Sequence, residues 1–410
     1  MESIFKKNTR DRILIFLLLL TSGDPVFYKQ AWSPVGIIVI GFMLLIYYRA
    51  RLKKAFYANF FAYISVFLVI FLLQYLNLGS SQLTFIIGFI IKMFIGVVIF
   101  TVIGERFSVV FLEVMYFVCL VSLPFYMLHL AFGDNLFSGL YLQDDSRSIG
   151  LYTFRGRAPG ESILRNSGMF WEPTAFQGYI NVALFLNFRR LPFLMKKRRK
   201  VLFVLLLTFV TTFSTTGFFL FSVLVLTYLL IYTRINKALA IITCVIFLIV
   251  GVIVFNSVDF LGTKVQAQYD AAAENNGDFS NTRFGALLFD WHYIAKNPLT
   301  GNGFDPETRF ADDPEIVHMI EKGDNPGLGN GFSDFIASAG VIGMFWYFFV
   351  LYRFVKRISA KDAFMLIVVM IIALQAESYL RFPFFLGIPF LTPLLVKKHE
   401  PQISHTPNLS

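Results

Sequence analysis

Apolar residues in this chain gather into runs parted by short basic connections. The runs recur about every 30 residues and several reach roughly 20 residues, enough to cross a hydrocarbon core. They predict twelve candidate spans, near 12–27, 31–48, 57–77, 83–103, 107–131, 173–189, 201–215, 217–233, 237–255, 329–351, 363–376 and 384–396. Composition agrees: 15% of residues are charged and 56% hydrophobic, where a soluble domain carries roughly 25% charged residues. The expectation is an all-α polytopic integral membrane protein of about 12 transmembrane helices with two long external loops.

Charge then orients the spans. The formal net charge is +10, which in a soluble chain would suggest nucleic acid. Here the basic residues cluster between apolar runs, where they act as topology signals, and no nucleic-acid partner is expected. Arg49, Arg51, Lys53 and Lys54 follow the second span, Lys196 to Lys200 the sixth, and Arg353, Lys356 and Arg357 the tenth. All strong clusters thus fall on one side, which the positive-inside rule makes cytoplasmic together with both termini. Cys119 and Cys244 lie inside apolar stretches and form no disulfide framework or metal motif. The first apolar run leads into Gly23-Asp-Pro rather than a small-residue cleavage site, so it reads as a membrane segment.

This divides the chain into an N-terminal bundle (1–131), a first external loop (132–172), central spans (173–255), a large external loop (256–328), C-terminal spans (329–399) and a cytoplasmic tail (400–410). Spans seven and eight are parted only by Ser214-Thr-Thr-Gly217, and span twelve holds Pro389 and Pro393, so either pair could be re-entrant or broken. The large loop carries an Ala-rich piece, Asp270 to Glu274, and an amphipathic helix predicted from Thr282 to Lys296, with Phe284, Leu287, Leu288, Trp291 and Ile294 as its apolar series. Connections this long are uncommon unless they bind something. Function is therefore expected on the external face.

No Walker A, Gly-x-Gly-x-x-Gly, kinase, His-Glu-x-x-His or Gly-x-Ser-x-Gly pattern is present, and the five histidines are dispersed. Neither a cofactor nor a metal is expected. The first loop instead offers Arg155, Arg157 and Arg165, ending in Arg165-Asn-Ser-Gly168-Met-Phe-Trp-Glu172-Pro. Guanidinium forks suit phosphate oxygens, and outside the membrane the natural phosphate is a lipid headgroup or a lipid-linked pyrophosphate. The same arginines could instead pair with Asp144, Asp145 and Glu161 or with bulk anionic lipid. The second loop adds Arg283 at the start of its helix, with Asn297-Pro-Leu-Thr-Gly301-Asn-Gly303 ending that helix in a sharp turn. Arg309, His292 and His318 are further candidates, the histidines reading more readily as structural groups. Lys92, Glu113 and His129 are polar groups inside apolar spans, and such groups usually face an interior, a cavity or a partner; Lys92 either pairs with Glu113 or helps hold a phosphate-bearing lipid.

At this point the chain resembles the O-antigen ligase and Wzy-type polymerase family. The residues that carry the resemblance are Arg165-Asn-Ser-Gly168 with Glu172-Pro173, Arg283 opening a helix, Asn297 to Gly303, and Asn330-Gly-Phe-Ser-Asp334 through Gly340-Val-Ile-Gly343 entering a span. It covers Arg165 to Tyr352; the N-terminal spans match only in character. The resemblance implies a bacterial inner-membrane enzyme that handles undecaprenyl-pyrophosphate-linked oligosaccharide at the periplasmic face without metal. Family ligases carry a His immediately before the Asn of the last motif, where this chain has Gly329 before Asn330. That departure, with Glu172-Pro173, leans the reading to a repeat-unit polymerase making O-antigen, capsule or exopolysaccharide. The alternatives are a ligase transferring glycan to lipid A core and a secondary transporter or flippase of lipid-linked oligosaccharide.

In the reaction so implied, a glycan leaves its lipid pyrophosphate for an acceptor hydroxyl, and the protein supplies positive charge and a base. Arg165 and Arg283 are the first choices for the pyrophosphate, with Arg155, Arg157 and Arg309 behind them. Glu172 is the preferred base, since burial beside Trp171 and Pro173 would raise its basicity; the other reading is a carboxylate capping the next helix. Asp334, Glu377 and Asn330 are secondary candidates, Glu377 because it lies at an outer membrane edge near Arg381. Membrane lipids are partners of any such chain, and a chain-length regulator protein is left open.

Overall fold

The computed structural model describes residues 9–28, 33–49, 54–79, 83–133, 146–155, 163–233, 283–310, 329–357 and 359–391, and singly 52, 242, 313, 316 and 318. Most of span nine, the end of span twelve, Asp270 to Glu274, Arg157 and the tail all lie outside the described residues.

Helices form where the apolar runs predict them. The first six are α1 (Thr9–Gly23), α2 (Pro25–Tyr28), α3 (Ser33–Tyr48), α4 (Lys54–Leu78), α5 (Leu83–Ile103) and α6 (Phe107–Phe132). The central stretch gives α7 (Pro173–Phe185), α8 (Leu191–Lys197), α9 (Arg199–Thr211) and α10 (Thr215–Thr227). Then follow α11 (Arg283–Lys296), α12 (Pro306–Arg309), α13 (Gly331–Val355), α14 (Ala360–Leu374) and α15 (Pro383–Gly387). The connection between α6 and α7 also holds an antiparallel hairpin, β1 (Ser146–Ser148) with β2 (Thr153–Arg155), which the sequence did not announce.

The expectation of about twelve membrane spans is corrected. Among the described residues, four helical stretches are long and apolar enough to cross a membrane: Lys54–Leu78, Leu83–Phe132, Thr215–Tyr232 and Gly331–Val355. The physical reason is length. α7 and α9 have 13 residues each, and at 1.5 Å per residue they reach about 20 Å, short of a hydrocarbon core of about 30 Å. Between α9 and α10 the chain breaks at Phe213, whose φ is +45°, and Ser214 caps the next helix through Gly217 N–H. The last run bends at Pro383 and Pro389 into α15 and a 3₁₀ turn, Ile388–Phe390. Several long apolar helices remain, consistent with a multi-pass membrane protein.

Packing is dominated by rings. Phe100 stacks on Phe107 at 4.0 Å between centroids, and Phe384 lies edge-on to Phe100 and tilted against Phe107 and Phe111. Tyr63 and Tyr347, both fully buried, spend their hydroxyls on the carbonyls of Leu386 and Phe385, which satisfies polar groups that burial would otherwise penalise. This pins the irregular 379–391 segment against α4, α5 and α13. Glu113, one of the polar groups inside an apolar run, pairs with Arg12 at 2.7 Å and Arg198 at 3.3 Å rather than with Lys92.

A candidate active site around Arg381, Asp334 and Trp171

The loop and the membrane helix that build the site are spliced together through backbone. Inside α13, Gly340 leaves the helical region with φ +72° and ψ 174°, freeing helix N–H and C=O groups. The turn after α11 supplies the missing partners: Val341 N–H donates to Pro298 O at 2.9 Å, and Asn302 N–H and Gly303 N–H donate to Ala337 O and Ser338 O at 2.8 and 3.0 Å. Only glycine fits at the crossing. A Cβ on Gly340 would lie 2.1 Å from Leu299 O, and one on Gly301 2.5 Å from the Ser338 carbonyl carbon. Gln74 of α4 closes the joint, its Nε2 donating to Thr300 O and Ser338 O at 2.6 and 2.8 Å.

Asn330 caps α13 by accepting from Phe332 and Ser333 N–H, as N-cap chemistry favours. One turn further, Asp334 is buried and accepts from Arg309 Nη1 at 2.6 Å and from Arg381 through Nε and Nη2 at 2.9 and 2.6 Å. Arg309 also binds Asp290 of α11, and Ser333 donates to the same carboxylate. Arg309 and both aspartates are almost wholly buried, whereas 32% of the Arg381 side chain remains exposed. Burial pushes the Asp290 carboxyl up to about 7 against the pull of Arg309, and the Asp334 charge adds to the rise. Lys92 lies close enough to Arg381 for their charges to act on one another, and among the described residues it has no anionic partner. The set holds three cations against two carboxylates.

A second group lies on the other side of the 377–381 turn. Trp171 Nε1 donates to Glu377 Oε2 at 3.0 Å while its ring stacks on Phe382 at 4.6 Å. Next to it, Glu172 pairs with Arg155 of β2 at 2.7 Å, and Arg155 also donates to Trp171 O. Glu172 occupies the N-cap position of α7 without a side-chain capping bond, so its carboxylate is held by Arg155 instead. Arg155, Glu172, Glu377, Asp334 and Arg309 are therefore linked through Trp171, Phe382 and Arg381.

The other candidates fall elsewhere or are placed by backbone alone. Arg165 is half-buried in a loop tied down by its neighbour: Asn166 N–H donates to Thr211 O, and Asn166 Oδ1 accepts from Gly168 N–H. Arg283 opens α11 as expected. The buried face of that helix is Ala286, Asp290, Tyr293 and Ile294, however, while Leu288 and Trp291 are exposed; the apolar series is turned partly outward because Asp290 must meet Arg309. His292 and His318 are exposed. Asp290, Ser333, Ser338 and Gln74 were missed in the sequence, and Arg381 was noted only as a neighbour of Glu377; a buried-side acidic residue at a helical spacing from Arg283 was the available signal.

Among the described residues, no three His, Cys, Asp or Glu side chains are grouped so as to hold a metal ion. No curated protein matches the chain. Residues 201–348, which include Asp290, Arg309, Asp334 and Gly340, match the model of the family described as O-antigen ligase, as the resemblance anticipated.

Proposed function

We propose that the protein transfers a glycan from a polyprenyl-pyrophosphate carrier to an acceptor hydroxyl, in the manner the matched family's description names, an O-antigen ligase. The observation that carries this is the partly exposed Arg381, forked onto Asp334 and flanked by Lys92 without an anionic partner among the described residues. A guanidinium with an open side at a low-dielectric boundary attracts a pyrophosphate and stabilises it more strongly as it leaves. Arg165, Arg283 and Arg155 add donors from the external loops, and the aspartates hold Arg309 and Arg381 in place.

The bond between the anomeric carbon and the pyrophosphate oxygen breaks, its electron pair leaving with the lipid pyrophosphate. The acceptor oxygen bonds to that carbon, and its proton passes to a carboxylate. Glu172 is our choice of base, positioned by Arg155, with Glu377 beside Trp171 as the second candidate. The half-buried Trp171 ring, backed by the buried Phe382, offers a sugar-stacking face next to both.

Gly329 before Asn330, where family ligases carry histidine, favours a second reading in which the acceptor is another lipid-linked repeat and the product a polymer. One experiment separates the two. Purified protein is incubated with a defined undecaprenyl-pyrophosphate oligosaccharide, with and without lipid A core, and products are resolved by glycan length. Transfer that requires the core supports ligation; a ladder of integral repeats without it supports polymerisation; no glycan transfer in either case removes both.

A further inference from the structure

A groove of about 520 Å³ lies between α1, α6 and the α8–α9 junction, among the basic residues at the opposite end of α6 from the β-hairpin. Its lining is mostly apolar, with Ile13, Phe16 and Phe117 along it. Ile13 and Phe117 are exposed, and Phe16 meets Phe117 edge to face at 6.5 Å. One end is charged: Arg12 and Arg198 converge on Glu113. A single carboxylate thus serves two guanidiniums, each with more than a third of its side chain exposed, 37% and 36%.

The spacing along α6 matches an amphiphile. Glu113 stands six residues after the helix start at Phe107 and Phe117 four beyond that, so the charged pair sits about 9 Å and the ring about 15 Å from the basic end of the helix. The charged pair thus precedes the apolar ring along the helix, the order of headgroup and acyl chain in a phospholipid. Two partly exposed guanidiniums at one end, with apolar surface running on from them, select a ligand with a phosphate and a hydrocarbon chain.

We propose that this groove is a binding site for one anionic glycerophospholipid, its phosphate on the exposed sides of the Arg12 and Arg198 guanidiniums, away from Glu113, and one acyl chain along Ile13, Phe16 and Phe117. The site is separate from the candidate active site and does not depend on the reaction assigned to it.

The test uses the delipidated full chain in detergent, titrated with phosphatidylglycerol, phosphatidylcholine or undecaprenyl phosphate and read by native mass spectrometry. One phosphatidylglycerol should be retained under conditions that strip phosphatidylcholine. Arg12→Gln with Arg198→Gln should weaken its binding about tenfold, the equivalent of about 1.4 kcal/mol. Ile13→Trp, which fills the groove from an exposed position and leaves the arginines intact, should abolish the retained lipid without lowering the melting temperature. Equal retention of phosphatidylglycerol and phosphatidylcholine overturns the proposal, as does a lipid that persists in Ile13→Trp. Selective retention of undecaprenyl phosphate alone also overturns it, by assigning the groove to the carrier lipid.

Discussion

Arg381 grips Asp334 with two bonds, Nε to Oδ2 at 2.9 Å and Nη2 to Oδ1 at 2.6 Å, while a third of its own side chain stays open to solvent. The arrangement leaves one face of the guanidinium available to a ligand while the other is fixed. Arg381→Gln should therefore lower glycan transfer about 100-fold, the scale of losing one aligned donor to a developing anion. It should also cost about 1–3 kcal/mol of stability, below the value for a fully buried pair because Arg381 is partly exposed. Transfer assays and thermal melts in detergent read the two effects separately; a variant destabilised yet fully active would assign Arg381 a purely structural role.

Lys92 makes the opposite prediction. With a repulsive neighbour and no anionic partner among the described residues, its removal should not weaken the fold. Lys92→Met is expected to leave the melting temperature unchanged or slightly raised and to raise KM for the lipid-linked donor about tenfold, the worth of one weakened charge contact. An unchanged KM would remove Lys92 from the donor site.

The raised Asp290 carboxyl gives a pH signature. An unfolded aspartate titrates near pH 4, and burial lifts the folded group to about 7. Between those values the folded chain binds more protons than the unfolded one. The stabilisation is complete below the unfolded value and is lost as pH rises through the folded one. Melting temperature should fall between about pH 4 and 7 and level off above, and Asp290→Asn should flatten that slope; a slope that persists in the variant would assign the titration to another group.

Glu172→Gln keeps the size of the side chain and a hydrogen bond to Arg155 but cannot take a proton. Transfer should fall by about 100-fold with little change in KM, since general-base catalysis contributes on the order of 10²–10⁴. If turnover stays near normal and Glu377→Gln abolishes it, the base is Glu377.

Where the sequence was informative, the signal was local. The start of α11 at Arg283 follows from residue types near that helix end, whereas the capping role of Asn330 came only from the structure. The span count was overestimated because hydropathy reports that a run is apolar but not where it breaks, and the breaks at Phe213 and Pro383 depend on what packs against them. The charge cluster was illegible for a different reason. Asp290 and Arg309 are 19 residues apart, and Asp334 and Arg381 47 apart. No periodicity within a helix links positions at those separations.

The splice at Gly340 has an evolutionary consequence. Because residues 298–303 complete the hydrogen bonding of a membrane helix, that turn cannot be exchanged between relatives as an interchangeable module. Sequence change is therefore tolerated most readily where the connecting chain is not woven into α13. A chimera that exchanges only residues 319–328 should keep the parental scaffold, whereas one with its single junction between 303 and 329 takes the turn and α13 from different parents and should yield two mismatched halves of a single joint.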